Sequence, residues 1–351
     1  MIIVYHFEKA YSPDWFYNFF FVRQGQIFVD VFFVMSGFVI ALNYQKINSL
    51  NFFFKFLKKR FLRLYPLLLF TATFFLLFFI FRDYLFKNGY SYLFNFKNSQ
   101  IKNDLWDFVE TIFLTNSSPL LGNSIGVNSP SWSISAEILC YVLFGITTLF
   151  YKKPFVKIIL IVSSSYLLIT LTDSFFQTRN YGFLRGIIGF NFGILVFSIF
   201  KSLNPIIIKI LKRYRKIFSA LFFVVFIIWM YELNKNYLSV SIVTLFTPFI
   251  ISLLIFSILF LEKGNFLEIK VFRYLGKISY SVYLNHLFIL IYLPKFLKIF
   301  GLKFNYVGSQ LFLMASIIMM TLIISHLTYY KIEKYFYPSI NKNPHGNIKN
   351  A

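Results

Sequence analysis

The stretch FVDVFFVMSGFVIA, Phe28 to Ala41, decides how the rest of the chain is read. It is apolar enough for a membrane helix, yet it holds an acid, Asp30, and a small pair, Ser36-Gly37, among its phenylalanines. A carboxylate in such a run is costly unless it faces the interior of a helix bundle and finds a partner, so Asp30 marks a polar site or pathway. The small pair removes bulk and lets a neighbouring helix or a ligand approach the backbone. One helix thus both packs and carries chemistry.

The composition extends that reading to the whole chain. Its 351 residues are 58% hydrophobic and 23% aromatic, with a mean hydropathy of +0.67. That is too apolar for a soluble domain and predicts an all-α, polytopic membrane protein. The net charge of +22 does not point to nucleic acid, because the basic residues fall in short clusters between apolar runs, as they do in membrane loops. A lone cysteine, Cys140, excludes an intrachain disulfide and a cysteine-based zinc site, and no metal is expected.

A spanning helix needs about 20 apolar residues. Nine runs qualify, near 25–44, 65–82, 129–151, 156–172, 180–200, 216–232, 238–261, 274–294 and 309–330. Residues 1–7 are also apolar but would reach only about 10 Å as a helix, so a tenth helix is expected, truncated at the N-terminus. Most of the Lys and Arg fall in one alternate set of connections, 45–64, 152–157, 201–216, 262–277 and the stretch from 331 onward. Cytoplasmic loops carry that excess, which gives about ten transmembrane helices with both termini cytoplasmic. Residues 1–338 read as a single membrane domain and 339–351 as a polar cytoplasmic tail. The longest outer segment, 83–128, carries an interfacial helix expected at 104–115, then the loop NSSPLLGNSIGVNSPS. That loop either covers a site or merely connects.

On this topology five ionisable residues from five helices fall in the outer half of the membrane. His6 lies just inside the outer end of the first helix, and Asp30 and Arg185 about one to two turns into the second and sixth. Glu137 lies ~10 Å inside the fourth, and His286 about two turns short of Pro294, taken as the outer end of the ninth. Helical spacing adds companions: Ser133 one turn from Glu137, and Ser279 and Tyr283 on the face of His286. Gly182, Gly186, Gly189 and Gly193 form a small-residue stripe beside Arg185. Any one of these charges could serve only to lock helices together. Five at one depth, two of them histidines able to exchange protons near neutral pH, point to a site. His326 and His345 read as incidental. At the inner face, Lys58, Lys59, Arg60 and Arg63 precede the third helix, with Arg60 and Arg63 on one face. Guanidinium forks suit polyphosphates, although lipid headgroups would satisfy them equally.

Several stretches together resemble the acyltransferase-3 family of integral membrane acyltransferases. They are YHF at Tyr5–Phe7, VDVFFVMSGFVI at Val29–Ile40, KRFLRLYP at Lys59–Pro66, PSWSISAEI at Pro130–Ile138, RGIIGFNFGIL at Arg185–Leu195 and ISYSVYLNH at Ile278–His286. YYKIEKY at Tyr329–Tyr335 matches less closely, with Tyr335 where the family often has proline. The resemblance implies ten helices in a bacterial inner membrane and a cytoplasmic acyl-CoA donor, with acetyl-CoA the default. It also implies transfer to a hydroxyl of a surface polysaccharide or glycolipid on the outer side. It further implies an essential histidine in the first helix, which His6 matches, and an arginine ahead of it that would fall before Met1.

On that basis His6 is the expected general base or transient acyl carrier, with Asp30 or Glu137 orienting its imidazole. Arg185 or His286 supports developing negative charge. Arg60, Arg63 and Lys59 hold the CoA phosphates, and the thioester reaches up roughly 20 Å through the bundle. The expected partners are membrane lipid, acyl-CoA and the glycan or glycolipid acceptor. The alternative is a proton-coupled transporter or polysaccharide flippase with the same residues as a relay, which the lack of an internal repeat disfavours.

Overall fold

The computed structural model describes residues 1–90, 101–151, 155–172, 174–235, 242–261 and 265–336, and these are helical throughout apart from their connections. The tail expected at 339–351 lies outside the described residues. Six helices are long and apolar enough to cross a membrane, and three shorter apolar helices accompany them. Each of the nine apolar runs corresponds to one of these. The protein is a polytopic integral membrane protein.

Eleven helices are numbered here in chain order: α1 Ile2–Tyr5, α2 Ile27–Asn43, α3 Leu50–Lys87, α4 Ile101–Ile112, α5 Ser131–Phe150 and α6 Phe155–Leu171, followed by α7 Gly182–Ser202, α8 Arg215–Lys235, α9 Thr247–Ile258, α10 Lys270–Ile299 and α11 Val307–Thr328. Residues 1–7 form only the single turn α1, which docks on α10. Phe7 is buried there among Ile289, Leu290 and Ile317.

Two helices are longer than the sequence pattern suggests. The basic cluster of 58–63, expected in a loop, is helical, because α3 begins at Leu50 with the Ser49 hydroxyl accepting a hydrogen bond from the Phe52 amide (3.2 Å). Lys and Arg are good helix formers, so charge alone does not end a helix. α3 also runs through Pro66, and α10 runs through Pro294 to Ile299. In a bundle, neighbouring helices and local adjustment accommodate the carbonyl that each proline frees. Many large side chains on these helices are exposed, among them Phe54, Leu77 and Phe81 of α3 and Val162 and Tyr166 of α6. A lipid-facing surface needs that pattern, since no polar belt is required between helix and acyl chain.

The core of the bundle is the pair α2 and α7, the most extensive helix contact in the fold. Gly186 and Gly189 of α7 face Phe33, and Gly193 faces Val34. Residue numbers rise together along both helices, so the two run parallel. Their closest points are at Gly37 and Gly193. A methyl group at Gly37 would lie 1.9 Å from the Phe190 carbonyl oxygen, and one at Gly193 2.0 Å from that of Val34. Backbone cannot retreat from such a contact as a flexible side chain can, so only glycine permits this packing. Gly37→Ala or Gly193→Ala is therefore expected to destabilise the protein by about 1–3 kcal/mol or more through overpacking. Gly276→Ala, where nothing lies within 4 Å, is the control and should be neutral or slightly stabilising. Thermal unfolding in detergent checks both, and equal behaviour of Gly193→Ala and Gly276→Ala would contradict the packing argument.

Candidate active site

α2 and α7 each begin with a buried charge. Arg185, in the first turn of α7, donates from Nε to one Asp30 oxygen and from Nη2 to the other, both at 2.7 Å, and Nη2 also donates to the Gln26 carbonyl at 3.0 Å. Both side chains are sealed from solvent, at 1% and 0% exposure. The rings of Trp132, Phe175 and Phe176 surround the guanidinium, with centroids 5.4, 5.8 and 5.1 Å from its carbon. A forked, two-point pair enclosed by aromatic faces is the geometry in which a buried charge pair can hold in an apolar medium.

His6 lies at the same end of the bundle. Its ring centre is 5.4 Å from that of His286 on α10, because α1 packs along that helix. His286 is fully buried. Its Nδ1 is 2.7 Å from the Tyr283 carbonyl oxygen; a carbonyl only accepts, so Nδ1 carries the proton. Nε2 is buried and, among the described residues, without a hydrogen-bond partner. The two imidazoles form a pair with one nitrogen lone pair available.

Glu137, two turns into α5, reaches neither His6 nor Arg185. One of its oxygens accepts hydrogen bonds from Ser36 on α2 (2.7 Å) and from Tyr141 one turn further along α5, while the other is buried without a partner. Depth along a helix does not fix azimuth, and Glu137 points to the opposite end of the bundle. There Arg60 sits with its guanidinium over the rings of Tyr44 (5.0 Å) and Tyr141 (6.0 Å). Arg60 and Arg63 both act electrostatically on Glu137. Arg60 is buried, Arg63 half-buried and Lys59 exposed.

The five residues expected at one site therefore fall into three groups: the histidine pair, the Asp30–Arg185 fork and Glu137. Neither carboxylate hydrogen-bonds a histidine, which corrects the expected orienting role of Asp30 or Glu137. Asp30 is fully engaged by Arg185, and the partner that orients His286 is the Tyr283 carbonyl. Of the companions, Ser133 hydrogen-bonds the Tyr283 hydroxyl (2.9 Å), while Ser279 is exposed and bonds only its own helix at Gly276.

These contacts form a broken polar seam along α5. At one end the Tyr283 carbonyl holds His286, beside His6, and the Tyr283 hydroxyl bonds Ser133; one turn further along α5 a second group, Glu137 with Ser36 and Tyr141, lies beside Arg60. Beside it, Asn128 is fully buried and donates to the Leu284 carbonyl (2.9 Å), with its side-chain oxygen unpartnered. Near the other end, Glu333 sits on the π turn Tyr329–Glu333, accepts from Ser281 (2.9 Å) and lies in the field of Arg63. Sequence reading names neither Tyr141, Asn128 nor Glu333 as a site residue, although Glu333 lies in the matched stretch YYKIEKY and Asn128 in the quoted loop. The i, i+4 spacing of Glu137 and Tyr141 is the usable signal.

The 116–131 loop is pinned to the bundle through Asn128, which bonds the Leu284 carbonyl of α10 and Thr71 of α3. Asn116 donates to the Ile125 carbonyl and the Ser131 hydroxyl (2.9 and 2.8 Å) and accepts from Ser135. The helix ahead of it, α4, is tied to α3 by the Arg82–Asp104 ion pair. Burial raises the Asp104 carboxyl above the usual range, against the lowering pull of Arg82.

Comparison with known proteins places this geometry in a family. The acyltransferase-3 model, described as an acyltransferase domain, matches residues 1–330. An O-acetyl transferase of Shigella phage Sf6 is 27% identical over 226 residues, which are 60% of this chain and 62% of the relative, so the chain spans a little under two thirds of that protein's length. No solved structure matches. The chain belongs to the acyltransferase-3 family.

Proposed function

We propose that the enzyme takes an acyl group, acetyl by default, from acyl-CoA at the cytoplasmic face and delivers it to a hydroxyl of a polysaccharide or glycolipid on the other side of a bacterial inner membrane. The observation that carries this reading is the polar seam. Its buried polar groups lie between a basic end, at Arg60, Arg63 and Lys59, and an imidazole pair at the other, in an otherwise apolar bundle. The relative's description as an O-acetyl transferase supports both the acetyl group and an oxygen acceptor.

The roles follow from position. His6, half-buried and paired with His286, takes the proton from the acceptor hydroxyl as its oxygen attacks the thioester carbonyl. The C–S bond breaks, and the proton passes to the departing thiolate. His286, with its proton held at Nδ1, keeps Nε2 as a second basic nitrogen within the pair. Arg185 is held by Asp30 near the histidine end, where its fixed charge favours negative charge building on the carbonyl oxygen. Arg60 and Arg63, with Lys59 at the surface, hold the donor's phosphates. Lipid fills the outer faces of the bundle.

The test is transfer of label from radiolabelled acetyl-CoA, supplied to the cytoplasmic face of membrane vesicles, into glycan or glycolipid on the opposite face. Label that depends on the expressed chain is the expected result. Solute movement without any acylated product would overturn the reading in favour of transport.

A further inference from the structure

At the end of the bundle remote from the histidines, a cavity of about 800 Å³ opens between the last turns of α2, α5 and α7 and the first turn of α6. Its walls carry three lysines, Lys46, Lys157 and Lys201, and no carboxylate. Lys157 is the informative one. Its side chain is 6% exposed, yet among the described residues it meets only the Thr147 hydroxyl and the ring of Phe144. An ammonium that is buried without a counter-charge is strongly disfavoured, so the site is incomplete as the protein alone. Lys201 at the rim is also without an acid, donating to the Gln45 side-chain oxygen at 2.5 Å.

The rest of the lining identifies the anion. Tyr44 and Tyr151 stand at the cavity, and Phe144 belongs to its apolar floor. Three cations with aromatic faces and an apolar floor match a ligand that combines phosphate with a flat ring, as a nucleotide does, better than a bare ion. The size falls within the range of small-molecule and cofactor sites. Tyr44 also links the cavity to the seam, since the Arg60 guanidinium lies over its ring at 5.0 Å.

We propose that this cavity holds the phosphorylated adenosine end of the acyl donor, with Lys157 and Lys201 on its phosphates and an aromatic wall against its base. The assignment rests on the acyl-CoA reading above. The donor's phosphates are then shared: Lys157 and Lys201 hold those on the ribose, and Arg60 and Arg63 take the rest of the diphosphate where the arm enters the bundle, next to Tyr44.

The experiment measures equilibrium binding of adenosine 3′,5′-bisphosphate to the full chain in neutral-lipid nanodiscs, for wild type, Lys157→Met, Lys157→Arg and Lys201→Gln, with thermal unfolding as a check on folding. At least a tenfold weaker affinity in Lys157→Met, with most of it restored in Lys157→Arg, is the expected result. Undiminished binding in folded Lys157→Met and Lys201→Gln would overturn the proposal. So would a failure of wild type to bind the bisphosphate, or displacement of a labelled anionic lipid, and not of the bisphosphate, by the Lys157 substitution. Acetyl transfer is measured on the same samples. If wild type binds the bisphosphate in a Lys157-dependent manner but transfers nothing, the cavity stands and the transferase route falls. If it transfers with Lys157 irrelevant to binding, the reverse holds.

Discussion

Replacing His6 by alanine is expected to abolish acyl transfer, a loss of roughly 10²–10⁴-fold or more for a general base, while the protein inserts and unfolds like wild type. His6 is half-buried on a single helical turn, so its removal leaves no unpaired buried charge and opens little core. His286 differs because it is sealed inside α10. His286→Asn keeps a side-chain donor for the Tyr283 carbonyl and removes Nε2 with the adjoining ring carbon. Transfer should fall by a similar factor, with a lowered melting temperature from the space opened in the core. Initial rates of label transfer, set beside thermal unfolding of the same preparations, separate the two effects. An active His6→Ala enzyme would remove the histidine pair from the chemistry.

The opposite pattern is expected for the fork between α2 and α7. Asp30→Asn or Arg185→Met leaves one buried charge unmatched, which typically costs about 3–5 kcal/mol. Set against a total stability of about 5–15 kcal/mol, that removes a large part of the margin. These variants should lose folded protein before they lose chemistry. The reversed pair, Asp30→Arg with Arg185→Asp, should recover folded yield relative to either single reversal. If Asp30→Asn folds normally and only its rate falls, Asp30 belongs to the reaction rather than to the framework.

These two outcomes also mark what sequence could reach. The nine apolar helices were legible because hydrophobic run length is set by the bilayer rather than by partners. Asp30 stood out for the same reason, as an acid where lipid tolerates none. Arg185 stands out at the same depth, but its pairing with Asp30 does not, since nothing in a single sequence joins positions 155 residues apart. Depth placed His6 and His286 at one level, and the structure has them side by side. For Glu137 depth misled, because its direction around α5 is decided by Tyr141 and Ser36. Lys157 was hidden by the rule that exposed the topology. A lysine at a helix end reads as a loop charge, and only packing reveals that it is enclosed. The start of α3 is hidden in the same way, under the basic cluster of 58–63.

The Asp30–Arg185 fork also sets a problem of timing. The ribosome finishes α2 long before it reaches α7, and at about 5–20 residues per second the 155 intervening residues take roughly 8–30 s to make. For that interval the acid has no arginine, at a cost below the about 2.5–3.5 kcal/mol of a helix centre because Asp30 sits in the first turn of α2. The apolar residues of α2 carry it into the bilayer alone, and the fork works as a latch that closes only when α7 arrives.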